Sequence, residues 1–175
     1  MKVGTAVLVG VVSLAAAPIA LAQNWTRIGT NLDGYEEVAP AAAASTVATG
    51  QFDATINHAE TAIDYVLSYS DLEGAVQQAH IHFGRRGTNG GISVFLCTNL
   101  GNGPAGTQTC PPSPATVSGT IMAADVVGPT AQGIAPGEFA ELIRAIRNGA
   151  TYVNVHSTKF PGGEVRGQLD AGHSH

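Results

Sequence analysis

Two runs of this chain carry the residue types best suited to chemistry, Ala79-His80-Ile81-His82-Phe83-Gly84 and Tyr152-Val153-Asn154-Val155-His156-Ser157. Each reads as a strand, and strand side chains alternate between faces. His80 and His82 therefore point one way, and Ala79, Ile81 and Phe83 point the other, apolar way. The same alternation puts Tyr152, Asn154 and His156 on one face and Val153 and Val155 on the other. Copper and zinc both accept imidazole nitrogen at about 2.0 Å. If the two strands are neighbours, a cross-strand spacing of about 5 Å brings His80, His82 and His156 within reach of one ion. The His face is expected to be outward or to line a groove. Asn154, Glu164 and Arg166 are the polar groups expected to orient those rings by hydrogen bonds. A metal-free hydrogen-bond network among the same residues is the competing reading, as is a Glu164–Arg166 ion pair that pins the last strand.

Other chemistry is missing. There is no Gly-x-Ser-x-Gly, no glycine loop ending in Gly-Lys-Ser/Thr and no carboxylate pair of the glycosidase kind. Ser157 next to His156 makes no triad, because adjacent strand residues face opposite ways. No catalytic residue is assigned. His58 falls in a turn. His173 and His175 form a second His-x-His on a polar tail, 171–175, of the kind that frays.

The elements that must hold the histidines are mostly strands. Alternation picks out Gln51–Ile56, Ala62–Tyr69, Ala75–Ile81, Ile92–Leu96, Thr116–Ile121, Thr151–His156 and Glu164–Leu169, with an earlier strand over Trp25–Leu32. Asn57–Glu60 reads as a hairpin connection. Gly84–Gly91, Pro111–Pro114 and Pro161–Gly163 break the pattern as turns, the first expected to be solvated. One helix interrupts the β pattern. Pro136 suits its first turn, Phe139, Leu142, Ile143 and Ile146 form one apolar stripe, and Asn148-Gly149 ends it. Ala123–Val127 suggests a second short turn, and Pro40–Ser45 a loop. Many short strands broken by frequent turns predict an all-β antiparallel sandwich with one short amphipathic helix.

Residues 1–22 read as a secretory signal: Lys2, a short apolar stretch, then Ala20-Leu21-Ala22, with cleavage before Gln23. Cleavage leaves about 150 residues, enough for one domain over 23–170 with its own core. Losing Lys2 moves the formal charge from -5 to -6. With that balance and no basic cluster, nucleic acid is not an expected partner. No later segment approaches the roughly 20 apolar residues of a membrane span. Cys97 and Cys110 are the two cysteines, flanking a Gly/Pro/Thr-rich loop; in an exported chain they are expected to form a disulfide.

The ordered motifs Leu32-Asp33-Gly34-Tyr35-Glu36-Glu37-Val38-Ala39-Pro40, Ala48-Thr49-Gly50, Ala79–Gly84, Gly119-Thr120-Ile121, Tyr152–Ser157 and Phe160-Pro161-Gly162-Gly163-Glu164-Val165-Arg166-Gly167-Gln168-Leu169 resemble the CHRD domain, named for chordin. The likeness runs from about Asn31 to Leu169. It implies an immunoglobulin-like β-sandwich, and it implies no common activity. His80-Ile81-His82 is also similar to the His-Val-His copper-ligand strand of copper/zinc superoxide dismutases, which share the sandwich architecture. That likeness stops short of a bridging His or an active-site Arg segment. The expected function is an exported, periplasmic or extracellular, binding module with copper or zinc at His80, His82 and His156. A copper-dependent redox enzyme is one alternative, and a metal-free domain that binds extracellular protein or glycan is the other.

Overall fold

The computed structural model describes Met1, residues 26–38 and residues 43–171. Apart from Met1, the expected signal segment lies outside the described residues. So do 39–42, which include half of the Pro40–Ser45 stretch, and 172–175, nearly all of the tail.

Nine strands form two antiparallel sheets. In chain order they are β1 (Thr26–Leu32), β2 (Thr49–Ile56), β3 (Ile63–Ser70), β4 (Val76–Phe83), β5 (Gly91–Thr98), β6 (Ala115–Ile121), β7 (Thr151–Ser157), β8 (Val165–Gln168) and β9 (Asp170–Ala171). Spatially the sheets run β6-β3-β2-β1-β9 and β5-β4-β7-β8. The expected strands are thus present with bounds shifted by a residue or two, and the sandwich is the observed architecture. Its interior is built from the apolar parity of each strand: Phe52, Ile56, Ile63 and Leu67 in one sheet, Ile81, Leu96, Val153 and Val155 in the other, all nearly without exposure. The β2–β3 hairpin turns at Asn57, whose Oδ1 accepts from the amides of Thr61 and Ala62. Ala123–Asp125 is a short 3-10 turn, as expected.

The strand expected over Glu164–Leu169 is β8, and beyond it the two-residue β9 lies in the opposite sheet, beside β1. Asp33 and Arg166 exchange both backbone hydrogen bonds, at 3.1 and 2.9 Å, where the chain crosses over. Gly167 lets β8 pass close to the end of β1, since a Cβ there would lie 2.3 Å from the Asn31 carbonyl oxygen.

α1 (Phe139–Arg147) buries Phe139, Leu142, Ile143 and Ile146, the expected stripe, within the same core. It starts later than Pro136 because Gly137 adopts a positive φ of 85°, which no right-handed helix accommodates. Arg144 and Arg147 lie in its last turn, where cations oppose the helix dipole favourably. No helix among the described residues is long and apolar enough to cross a membrane. Cys97 and Cys110 are disulfide-bonded across the loop that follows β5.

Candidate metal centre

The site lies on the outer face of the smaller sheet, where β4 pairs with β7. In that register Gln78 opposes His156, His80 opposes Asn154 and His82 opposes Tyr152. His156 is therefore the diagonal neighbour of His80, close enough for ring contact. One nitrogen from each of His80, His82 and His156 can be chosen so that all three lie within 4.8 Å of one another. His80 Nδ1 and His156 Nε2 are 3.2 Å apart. The adjacency that the sequence could only assume is present.

The histidine face is not outward, however. His80, His82 and His156 are 1%, 8% and 6% exposed, and all seven residues of β7 are buried. Alternation separates the two faces of a strand but does not say what covers either. Here the cover is two Gly/Pro-rich turns that read as solvent loops. The Gly84–Gly90 turn folds over His82, and Gly90 oxygen lies 2.9 Å from His82 Nδ1. The turn after β7 brings Pro161 oxygen to 3.0 Å from His156 Nδ1.

These two carbonyls fix the chemistry of the rings. A carbonyl only accepts, so His82 and His156 each donate from Nδ1 and each carry a lone pair on Nε2. His80 Nδ1 then donates to His156 Nε2, leaving His80 Nε2 as an acceptor. His80 Nε2 and His82 Nε2 are both buried with no hydrogen-bond partner. Asn154 Oδ1 lies 3.1 Å from His156 Nε2, and because both atoms are acceptors in this tautomer the contact is not a hydrogen bond. Burial holds all three imidazoles in the neutral, metal-competent form. It pushes His80 down to about 2, with help from the neighbouring histidines, and His82 down to about 4 against the Gly90 contact. His156 is lowered too, with the Pro161 carbonyl opposing.

Aromatic and cationic groups buttress the cluster. Tyr152 stacks on His82 at 4.8 Å with 2° between planes, and the Arg166 guanidinium lies over that phenol ring, 3.4 Å from its centre. Phe95 meets His80 edge-on at 4.6 Å. Arg166, 1% exposed, donates from Nη2 to the carbonyls of Arg85 and Thr88. Gln168 donates to the Gly84 carbonyl. The turn that covers His82 is thus tied down by β8. Gly90 has no room for a side chain, since a Cβ would fall 1.7 Å from the Phe83 oxygen.

Arg166 and Glu164 do not form the ion pair considered for them. Glu164 accepts instead from Thr46 Oγ1 at 2.8 Å and the Glu73 amide at 2.7 Å, tying down a different segment. The acid that faces Arg166 is Glu37, which sequence reasoning did not single out. It is 4% exposed, and its Oε1 has no partner. Desolvation pushes its carboxyl up to about 7, although Arg166 and a hydrogen bond with Asn154 pull the other way. Its signal was its place in the Asp33–Glu37 motif rather than any periodicity. Gly163, at a φ of 134°, leaves room for it; a Cβ there would lie 2.3 Å from Glu37 Oε1.

The arrangement offers three converging neutral nitrogen donors, with no nucleophile and no carboxylate in the cluster. No curated protein matches the chain, and no solved structure does. Residues 28–169, the sandwich from β1 to the end of β8 with this histidine cluster inside it, match the CHRD domain, and the chain belongs to that family.

Proposed function

We propose that this chain is an exported CHRD-family binding module that holds one copper or zinc ion through His80, His82 and His156. One observation carries the reading: His80 Nε2 and His82 Nε2 are buried lone pairs without partners, beside a third imidazole whose Nε2 is also a lone pair. A buried polar group left unpaired costs about 1–3 kcal/mol, and an ion bound among these nitrogens relieves that cost. Asn154 flanks His156, and Arg166 supports the ligand rings by holding the covering turn. Glu164 steadies the Thr46 and Glu73 segments. The disulfide and the family fit an exported protein.

The test is metal content by mass spectrometry on protein exported to its native compartment and purified without chelators or an affinity tag, beside the His80→Ala/His82→Ala variant. Near-stoichiometric copper or zinc, lost in the variant, is expected. No metal in either protein overturns the reading.

A second reading has its own support. The direct His80–His156 hydrogen bond satisfies part of the cluster without an ion. In that case the module is a metal-free domain that binds extracellular protein or glycan through its loops, and the histidines are structural. A copper redox enzyme is favoured less. It needs an open coordination position, and these rings lie under two turns.

A further inference from the structure

The charge and coordination number of the site discriminate between metals, an inference that rests on the metal reading above. We infer that the ion the site selects is monovalent copper, three-coordinate, in preference to zinc or divalent copper.

Charge is the first ground. The cluster contains His80, His82 and His156 and no carboxylate or thiolate. Neutral ligands leave the full charge of the ion inside a region where the three rings are at most 8% exposed. The cost of burying charge grows with its square, so a divalent ion costs about four times as much as a monovalent one. The Arg166 guanidinium over the Tyr152 ring adds a positive field near His82. Glu37 faces that guanidinium, but burial keeps much of its carboxyl protonated at neutral pH, so it offsets the field only in part.

Coordination number is the second ground. Zinc at a structural site takes four ligands, and divalent copper takes four or more in a tetragonal array. Three nitrogens converge here. The atom nearest to serving as a fourth is Asn154 Oδ1, a neutral amide oxygen 3.1 Å from His156 Nε2. The turns held by Arg166 and by the Pro161 contact restrict the water that would complete a higher shell. Monovalent copper has a filled d shell and no need of a fourth donor, so three imidazoles meet its demand.

The experiment is an anaerobic titration of the chelator-stripped full-length domain with Cu(I) against the chromogenic competitor bicinchoninate. Parallel titrations use Zn(II) and Cu(II) with their own competitors, and copper K-edge absorption is recorded on the Cu(I)-loaded protein. One equivalent of Cu(I) is expected, bound at least about 100-fold more tightly than Zn(II), with an edge feature of three-coordinate Cu(I) and a shell of three nitrogens. The binding should vanish in His156→Gln, with the fold checked by circular dichroism. Tighter binding of Zn(II) or Cu(II) at the same histidines overturns this inference and leaves the metal-holding module standing. No binding of any ion, or Cu(I) held equally by His156→Gln, overturns both. The absorption spectrum needs no variant, so a misfolded mutant does not rescue the idea: a two- or four-coordinate spectrum overturns it.

Discussion

Acid should weaken the metal-free protein through its own buried imidazoles. In an unfolded chain an imidazole titrates near 6.5, whereas burial holds His82 down to about 4 and His80 down to about 2. A base whose folded value is depressed takes its proton more readily once unfolded. Its contribution to stability is complete above 6.5 and drains away as pH falls toward the folded value. At pH 4.5 each ring has withdrawn about 3 kcal/mol, at 1.36 kcal/mol per pH unit below 6.5. Glu37 runs the other way. Its folded value is raised from 4.5 to about 7, so the folded form takes up its proton first and gains about 3 kcal/mol as pH falls across that interval. The wild-type protein should therefore lose only about 2–3 kcal/mol between pH 7 and 4.5, and Glu37→Gln, which removes the opposing titration, about 5–6 kcal/mol. Those losses are large against a typical total of about 5–15 kcal/mol. Urea unfolding of both proteins in chelator, at several pH values in that window, measures the difference. Equal losses in the two proteins would refute the account of Glu37. A flat profile in Glu37→Gln would refute the account of the histidines.

Three further outcomes follow from the same geometry. An ion supplied at about 1,000 times its dissociation constant should add about 4 kcal/mol, or roughly 10 °C in Tm, and nothing in His80→Ala/His82→Ala; an unchanged Tm in the stripped wild type speaks against the site. Arg166→Met removes the donors to the Arg85 and Thr88 carbonyls and should cost about 2–4 kcal/mol. Hydrogen exchange should rise first in Gly84–Gly90, and protection there equal to wild type would show that the turn holds itself. Gly167→Ala drives a Cβ toward the Asn31 oxygen and should cost at least about 2 kcal/mol in a denaturant titration, with a loss below about 0.5 kcal/mol contradicting the close crossing of β1 and β8.

The strands and the helical stripe were legible because they depend on local periodicity, which tertiary contacts seldom reverse. His80 and His82 were legible as a pair for the same reason, and Cys97 and Cys110 from their number and setting. The burial of the histidine face was not. Tyr152, Asn154 and His156 have the polarity of a solvent face, and the Gly84–Gly90 and Pro161–Gly163 segments have the composition of solvent turns. Only the tertiary path brings those segments back over the sheet. Glu37 was hidden likewise: its neighbour Glu36 pairs with Arg86 at the surface, while Glu37 turns inward toward Arg166. The two-residue β9 is too short to show alternation, so its place beside β1 could not be read from the sequence.

The crossing from β8 to β9 has a consequence for association. It stitches one seam of the sandwich shut, so that β5 and β6 are left as the edge strands of the opposite seam. Edge strands with unspent backbone donors and acceptors recruit strands from other chains. The loop between the cysteines lies over that gap. Its Gln108 carbonyl accepts from the Thr98 amide at the end of β5, and its side chain donates to the Ser118 carbonyl in β6. The disulfide thus acts as a guard on quaternary behaviour: reducing it frees the loop, and the first symptom to be expected is self-pairing of the molecule along β5 and β6, ahead of any general unfolding.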